Sequence, residues 1–497
     1  MDSVDLLSWE AREFGRRGRY TESLARYSRV LALEPVKIEA LHYFGVLTAD
    51  AGIDVLHSLA WIERSLYLDF ENPHFLTNKA IILQRLKRND EALILLEKAL
   101  TTNRYFVPAN LNCGHVYKIK NQFPLAAKFY ERVVVLAPAD IAAYEHLSFC
   151  YSYPDSLNRR CYVLERARFI EPSNADVGFS LSTYYLLSGR FAEGWDLFES
   201  RWYASKFRDD FRYSKPLRLS RPEFDANEPV GPIFIWGEQG VGDEVMFGSL
   251  IAEFIERFGL QVILQVDPRL VSIFQRSLSD VRVIPRGVSP SEDSYRSHLP
   301  LGDLPRILRR DLENFVGVKE RFLYSDPVRQ QALKSRVSTR AGRVVGISWH
   351  TTNGDSRCVP LLDLVLLLRR LDVFIVNLQY GDHGEEIDAV EKIIGGPVFD
   401  FAEVNCRDDL EGLLALVQSC DLVISIGNAT VHFAGVSGVP TFALLPHFPG
   451  WRWLSQGDES VWYRSVKLFR QNQDGNWQSV IDSVEKGLRD QLFPSVA

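Results

Sequence analysis

The stretch Asp421–Leu454, DLVISIGNATVHFAGVSGVPTFALLPHFPGWRWL, decides how the second half of the chain is read. Its run Leu422–Ile426 has the near-continuous apolar character of a buried parallel strand. A turn follows at Gly427-Asn428, where glycine lets backbone approach a ligand closely. A short helix is expected over 429–437, stopped by Gly438 and Pro440, and a further strand over 441–445. A strand that passes through a tight turn into a helix aims backbone N–H groups and the positive helix end at that turn. This geometry suits the phosphates of a nucleotide, and it equally describes a plain β-α-β crossover. Both readings stand on this stretch alone.

The same alternation extends outward in both directions. From Gly231, strands are expected at 233–236, 260–266 and 281–284, with helices at 244–258 and 268–278 between and after them. From about Val344, strands at 345–349, 373–378, 398–401 and 466–469 alternate with helices at 361–370, 385–394, 408–419 and 477–488. Such alternation predicts doubly wound parallel sheets in two lobes, 231–340 and 341–497, with ligands at the carboxyl ends of the strands. Residues 207–230 lose the helical period and carry Pro216, Pro222 and Pro229, which suits an ordered connector.

The first part of the chain repeats itself. Turn positions Pro35, Phe70, Arg104, Pro138 and Pro172 are spaced by 35, 34, 34 and 34 residues. A small residue or its neighbour recurs 24 positions before each turn (Ala11, Gly45 beside Val46, Ala80, Gly114, Ser148), and Ser182 continues the column. A bulky residue recurs 8 positions before each turn (Tyr27, Ile62, Leu96, Tyr130, Leu164), and Phe198 extends it. A small site facing a large one lets two antiparallel helices pack closely and stack on the next pair. The pattern resembles the tetratricopeptide repeat, with six copies over 4–206, although Arg160 replaces the usual small residue in the second helix of copy five. The resemblance implies an α-solenoid whose concave face holds an extended peptide or a partner protein; a plain scaffold is the other reading.

Composition bounds the remaining possibilities. The 497 residues carry a net charge of −7 without a sustained basic run, so a nucleic-acid partner is not indicated. The N-terminus lacks a basic-then-apolar signal pattern, and no apolar run approaches a membrane span. Cys113, Cys150, Cys161, Cys358, Cys406 and Cys420 are scattered, with no Cys-x-x-Cys pair, as in reduced cytosolic proteins. A cytoplasmic location is therefore expected.

Three segments carry chemistry. Gly237–Glu244, GEQGVGDE, is a glycine-rich turn that is neither a Walker loop nor the usual dinucleotide fingerprint. Trp349–Arg357 and Leu378–Asp382 each follow a strand and are rich in hydrogen-bonding groups. Asp408-Asp409, Leu422–Ile426, His432, Gly435, Gly438, Pro440 and Trp451-Arg452-Trp453 together resemble bacterial glycosyltransferases related to ADP-heptose:lipopolysaccharide heptosyltransferases. The branch fused to tetratricopeptide repeats is the most similar, in a layout like that of O-GlcNAc transferases and flagellin-modifying enzymes. One departure stands out: family members often place an acidic residue where this chain has Gly427.

That resemblance implies an α-solenoid followed by two Rossmann-like lobes in the GT-B arrangement. It implies transfer of a sugar from a nucleotide-sugar donor to a protein, with flagellin a candidate acceptor by analogy and a lipopolysaccharide or other glycan as the alternative. A decayed, non-catalytic interaction protein is a third reading. Asp243 matches the family's general base, and a helix-capping acid is its other reading. Donor contacts are expected from Gly240, Gly242, Arg357, Gln379, Tyr380, Asn428, Ala429, Thr430 and His432, with Arg357 neutralising the diphosphate. The tryptophans of the Trp-Arg-Trp segment are expected in a cleft wall or a core. No Asp-x-Asp motif follows a strand, so neither a divalent ion nor a cofactor is expected, the nucleotide-sugar being a substrate.

Overall fold

The computed structural model describes residues 3–151, 156–205, 216–317, 319–337, 342–352, 354, 357–472 and 475–493. The chain forms two compact units, one of residues 1–152 with 158–172 and one of 153–157 with 173–497. Part of the 207–230 connector and the junction at 340–341 involve residues outside the described set.

Among the described residues the first unit contains ten helices: α1 (Ser3–Arg16), α2 (Tyr20–Leu33), α3 (Ile38–Asp50), α4 (Val55–Leu68), α5 (Pro73–Arg85), α6 (Asn89–Thr102), α7 (Val107–Ile119), α8 (Phe123–Leu136), α9 (Ile141–Cys150) and α10 (Leu157–Ile170). They pair as five tetratricopeptide-like hairpins, and the two residue columns explain the pairing. A Cβ on Gly114 of α7 would lie 2.7 Å from Tyr130 Cε1 of α8, and one on Gly45 would lie 2.7 Å from Ile62 Cγ1. The small residue is thus the space that the large one fills, and Tyr27, Ile62, Leu96, Tyr130 and Leu164 are all buried there. The turns inside the hairpins need a left-handed residue. Gly18 and Gly52 provide it without strain, whereas Lys87 and Asn121 adopt it at φ 61° and 58°. Arg160, in place of the usual small residue of the second helix of copy five, is buried and donates through Nε to the Tyr151 carbonyl (2.9 Å) and through Nη2 to that of Phe149 (3.0 Å). It closes the C-terminus of α9, satisfying carbonyls that the helix leaves without partners.

The second unit opens with the sixth hairpin, α11 (Ala175–Leu187) and α12 (Phe191–Leu197), and a 3-10 turn over Phe198–Trp202. Periodicity groups this hairpin with the repeats, but in the structure it is built into the α/β unit. Trp195 packs edge-on against Phe247, Trp451 and Trp462, and its Nε1 donates to the Arg309 carbonyl at 2.9 Å. Burial of these rings fastens the hairpin to both lobes through dispersion and area burial.

Two all-parallel sheets follow. β1 (Ile233–Trp236), β2 (Val262–Val266), β3 (Arg282–Pro285) and β4 (Ser297–Pro300) lie in the order β3-β2-β1-β4. β5 (Val344–Ser348), β6 (Phe374–Asn377), β7 (Leu422–Ile426), β8 (Thr441–Leu445) and β9 (Val466–Arg470) lie in the order β6-β5-β7-β8-β9. β1, β2, β5, β7 and β8 are buried at every residue, as strands covered on both faces must be. The strand order reverses between β1 and β4 and between β5 and β7, the two points where a doubly wound sheet opens a crevice.

Some boundaries differ from expectation for identifiable reasons. The expected helix 244–258 is two helices, Val241–Gly248 and Ile251–Phe258. Phe274 presses on the junction, 2.5 Å from where a Cβ of Gly248 would sit. β4 carries Ser297 and His298 and so presents no apolar run to read. The expected strand at 398–401 is reduced to a single bridge from Phe401 to Val376.

Candidate functional site at two strand-to-helix turns

The first turn joins β1 to the helix Val241–Gly248. Gly237 is required there, because a Cβ would meet Glu244 Oε1 at 2.3 Å and the Gln265 carbonyl oxygen at 2.7 Å. Gln239 adopts a left-handed φ of 61°. Two buried carboxylates hold the turn in this shape. Glu238 accepts from Arg201 Nε (2.9 Å), Arg201 Nη2 (2.7 Å) and the Gly302 N–H (3.0 Å), and Arg201 Nη2 also donates to Asp303 at 2.7 Å. Glu244 accepts from the Asp267 N–H at 2.6 Å and from Arg286, which in turn donates to the Gln239 carbonyl at 3.2 Å. Burial pushes the Glu244 carboxyl up to about 7, against the opposing pull of Arg286.

The second turn, at the end of β7, is held by neutral groups. Asn428 Oδ1 caps the following helix Ala429–Val436 through the Thr430 N–H (3.0 Å) and accepts from Ser425 Oγ (3.1 Å). Its Nδ2 donates to Ser348 Oγ (2.8 Å) and the His350 carbonyl (3.3 Å), bridging β7 to the end of β5. Gln379 Oε1 accepts from the backbone N–H groups of Trp349 and His350, both at 2.9 Å, and from Ser348 Oγ at 3.0 Å. Thr430 Oγ1 donates to the Leu378 carbonyl at 3.2 Å, which ties in the end of β6.

These two turns meet. A Cβ on Gly242 would lie 3.1 Å from His432 Cδ2 and 3.3 Å from Ala429 Cα, so glycine lets the helix starts approach this closely without displacing a neighbour. One residue further on, Asp243 accepts from Arg452 Nε at 2.9 Å and also from its Nη2. Asp243 and Arg452 are 16% and 22% exposed, which leaves the pair reachable from solvent. His432 is buried, its Nδ1 lies 2.8 Å from the Tyr463 hydroxyl, and its ring stacks on Trp453 at 5.5 Å. Burial first, and the charge of Arg452 second, hold its imidazole down to about 3, so it is neutral at physiological pH. The Tyr463 hydroxyl is raised by burial and stays protonated. The hydroxyl donates to Nδ1 when the imidazole proton is on Nε2 and accepts from Nδ1–H in the other tautomer. Arg357 has its pKa lowered, by desolvation first and the charge of Arg452 second.

The residues singled out from the sequence fall on these two turns and on the segments that follow β5 and β6. Asn428, Thr430 and Gln379, expected to face a donor, spend their polar atoms on the strand ends of the second sheet. Asp243, Gly242, Ala429 and His432 do come together; Gly240 is exposed beside them, and Tyr380 is half-buried against the main core. Trp451 packs with Trp195, Phe198 and Phe247, a core role, while Trp453 covers His432. A Cβ at Gly427 would lie 3.1 Å from Trp453 Nε1, so the acidic residue common at this position in the resembled family would have to push that ring aside. Arg201, Glu238, Glu244, Arg286 and Tyr463 were missed. Glu238 and Glu244 lie inside the glycine-rich motif, but their partners stand 37 and 42 residues away, beyond any local pattern. Among the described residues no group of three or more His, Cys, Asp or Glu side chains is arranged to hold a metal ion. No helix among them is long and apolar enough to cross a membrane.

No family model matches the chain. It is 28% identical over 513 residues to protein FlbA of Caulobacter vibrioides, an alignment spanning 97% of this chain and 84% of that protein. It is 28% identical over 98 residues to the general transcriptional corepressor ssn6 of Schizosaccharomyces pombe, covering 19% of this chain and 9% of that one. Among solved structures, MamA matches 35% of this chain and 93% of its own, at 18% identity and a TM-score of 0.30. PilW, a type IV pilus biogenesis factor, matches 40% of this chain and 86% of its own, at 19% identity and a TM-score of 0.33. The FlbA alignment, at 97% of the chain, takes in both the helical repeats and the α/β lobes.

Proposed function

We propose that the protein is a nucleotide-sugar-dependent glycosyltransferase with its two lobes in the GT-B arrangement, acting on a protein acceptor recruited by its tetratricopeptide-like repeats. The observation that carries this reading is the meeting of Asp243 and Arg452 where two strand-to-helix turns converge. Backbone amides at a helix start, together with two guanidinium groups, suit a diphosphate. In this reading the acceptor hydroxyl oxygen attacks the anomeric carbon as the bond from that carbon to the diphosphate oxygen breaks. The bonding electrons leave with the diphosphate, and the hydroxyl proton passes to Asp243. Arg452 orients the Asp243 carboxylate, Arg357 and Arg452 stabilise the leaving charge, and His432, in its Nε2–H tautomer, contributes a neutral hydrogen bond. Asn428, Thr430 and Gln379 serve by fixing the second turn. No divalent ion enters this scheme.

Mass spectrometry of candidate acceptors co-expressed with and without the protein tests the reading, with flagellin as the first acceptor and a glycan acceptor as the rival outcome. Asp243→Asn should lower transfer by about 10²–10⁴-fold while the fold and nucleoside diphosphate binding persist; retained turnover removes Asp243 from the role of base. A second reading, a non-catalytic interaction protein, is favoured by the inward-turned Asn428 and Gln379 side chains. Calorimetric titration with a panel of nucleoside diphosphates separates the two: heat of binding for one of them supports transfer, and silence across the panel supports the second reading.

A further inference from the structure

The crevice at the first sheet's switch point is filled from within the protein. β1 and β4 diverge there, and in a doubly wound sheet this is where a ligand enters. Here the guanidinium of Arg201, from the 3-10 turn that ends the sixth hairpin, occupies the position between Glu238 after β1 and Gly302-Asp303 after β4. Arg201 and Glu238 are 3% and 1% exposed, and the Arg201 guanidinium also packs over the rings of Phe198 and Trp202 at 4.6 and 4.2 Å. A Cβ on Gly302 would lie 2.5 Å from Glu238 Oε1, so the fit leaves no slack.

We infer that Arg201 is a positioning residue for the glycine turn, acting through Glu238 to set where Asp243 stands. The chain of contacts is short. Glu238 is gripped by a planar fork of donors that fixes the direction as well as the distance of its carboxylate. Its neighbour Gln239 is left-handed, and the Asp243 N–H closes the turn onto the Gly240 carbonyl at 3.0 Å. Releasing Glu238 therefore frees the backbone that carries Asp243, while the second turn, held by Asn428 and Gln379, keeps its own network. It follows that the hairpin continuing the repeat array is also the part that shapes the first lobe's half of the site, and that this lobe binds no nucleotide at its own switch point.

The activity arm of the test rests on the glycosyltransferase reading; the structural arm does not. Hydrogen–deuterium exchange is followed in the full-length chain for wild type and Arg201→Met, with Glu238→Gln as the second variant should the first not fold. In the folded variant, amides of 237–243 should exchange about tenfold faster or more, with β2 and the 427–432 turn unchanged. Transfer should fall by about tenfold or more at unchanged nucleoside diphosphate affinity. Wild-type exchange at 237–243 in a folded variant overturns the inference, as does a loss of protection spread evenly over both lobes. Should wild type transfer no sugar, the glycosyltransferase reading fails while the exchange result still decides the role of Arg201.

Discussion

The two turns at the centre of the second unit have the same local plan and opposite chemistry. Each follows a buried parallel strand, leads into a helix of eight residues and lies at a strand-order reversal. The glycine turn of the first lobe is held by buried ion pairs, Glu238 with Arg201 and Glu244 with Arg286. The Asn428 turn is held by amide, hydroxyl and backbone groups with no formal charge. Charged clamps are stiff and directional but costly when one partner is lost; neutral networks lose less with each deletion. The difference also predicts opposite responses to pH.

The largest effect is expected from Arg201→Met, which strands Glu238 and Asp303 in a dry site. Chemical denaturation should show a loss of about 3–5 kcal/mol. A loss no larger than that of the neutral network would erase the contrast between the turns.

Next comes the pH dependence. The folded state holds the Glu244 proton up to about 7, above its ordinary value of 4.5. That contribution to stability is complete below pH 4.5, declines as pH climbs through about 7, and is absent above it. His432 works in the other direction. Its imidazole is depressed to about 3, so its contribution is present above 6.5 and is lost as pH falls toward 3. Glu244→Gln should flatten the decline between pH 4.5 and 7, a change on the order of 3 kcal/mol. His432→Asn should flatten the acid limb instead. Denaturation midpoints measured across this range check both, and a swapped pattern would contradict the assignment.

Asn428→Ala removes a helix cap and the bridge between β5 and β7, and about 2 kcal/mol is expected, because its partners remain near other polar groups. Gly427→Asp is the smallest. The new Cβ must displace Trp453 from 3.1 Å, at about 1 kcal/mol, and the displaced ring should uncover His432. Thermal melting and tryptophan fluorescence read both consequences.

Much of this architecture was legible in the chain. The 34-residue columns identify the helical repeats because a small residue and a large one must face each other in every hairpin, and Gly114 against Tyr130 shows why. The strands β1, β7 and β8 were readable to the residue, since a strand covered on both faces is apolar at nearly every position. β4 escaped because its buried residues include Ser297 and His298, which carry no hydrophobic signal. The sixth hairpin shares the repeat period and packs with the second unit, because periodicity records how helices pair and is silent on which body buries Trp195.

The candidate site divides the same way. Local spacing located both turns, since glycine and asparagine between a strand and a helix are constraints that neighbouring residues impose. Only tertiary structure decided that Asp243 faces Arg452, 209 positions away, and that Arg201 grips Glu238 and Asp303, 37 and 102 positions away. It also decided that Asn428 and Gln379 turn inward. Period and turn chemistry are written into consecutive residues. Which charge meets which, and which polar group is left for a ligand, depends on how two sheets and a helical hairpin close around them.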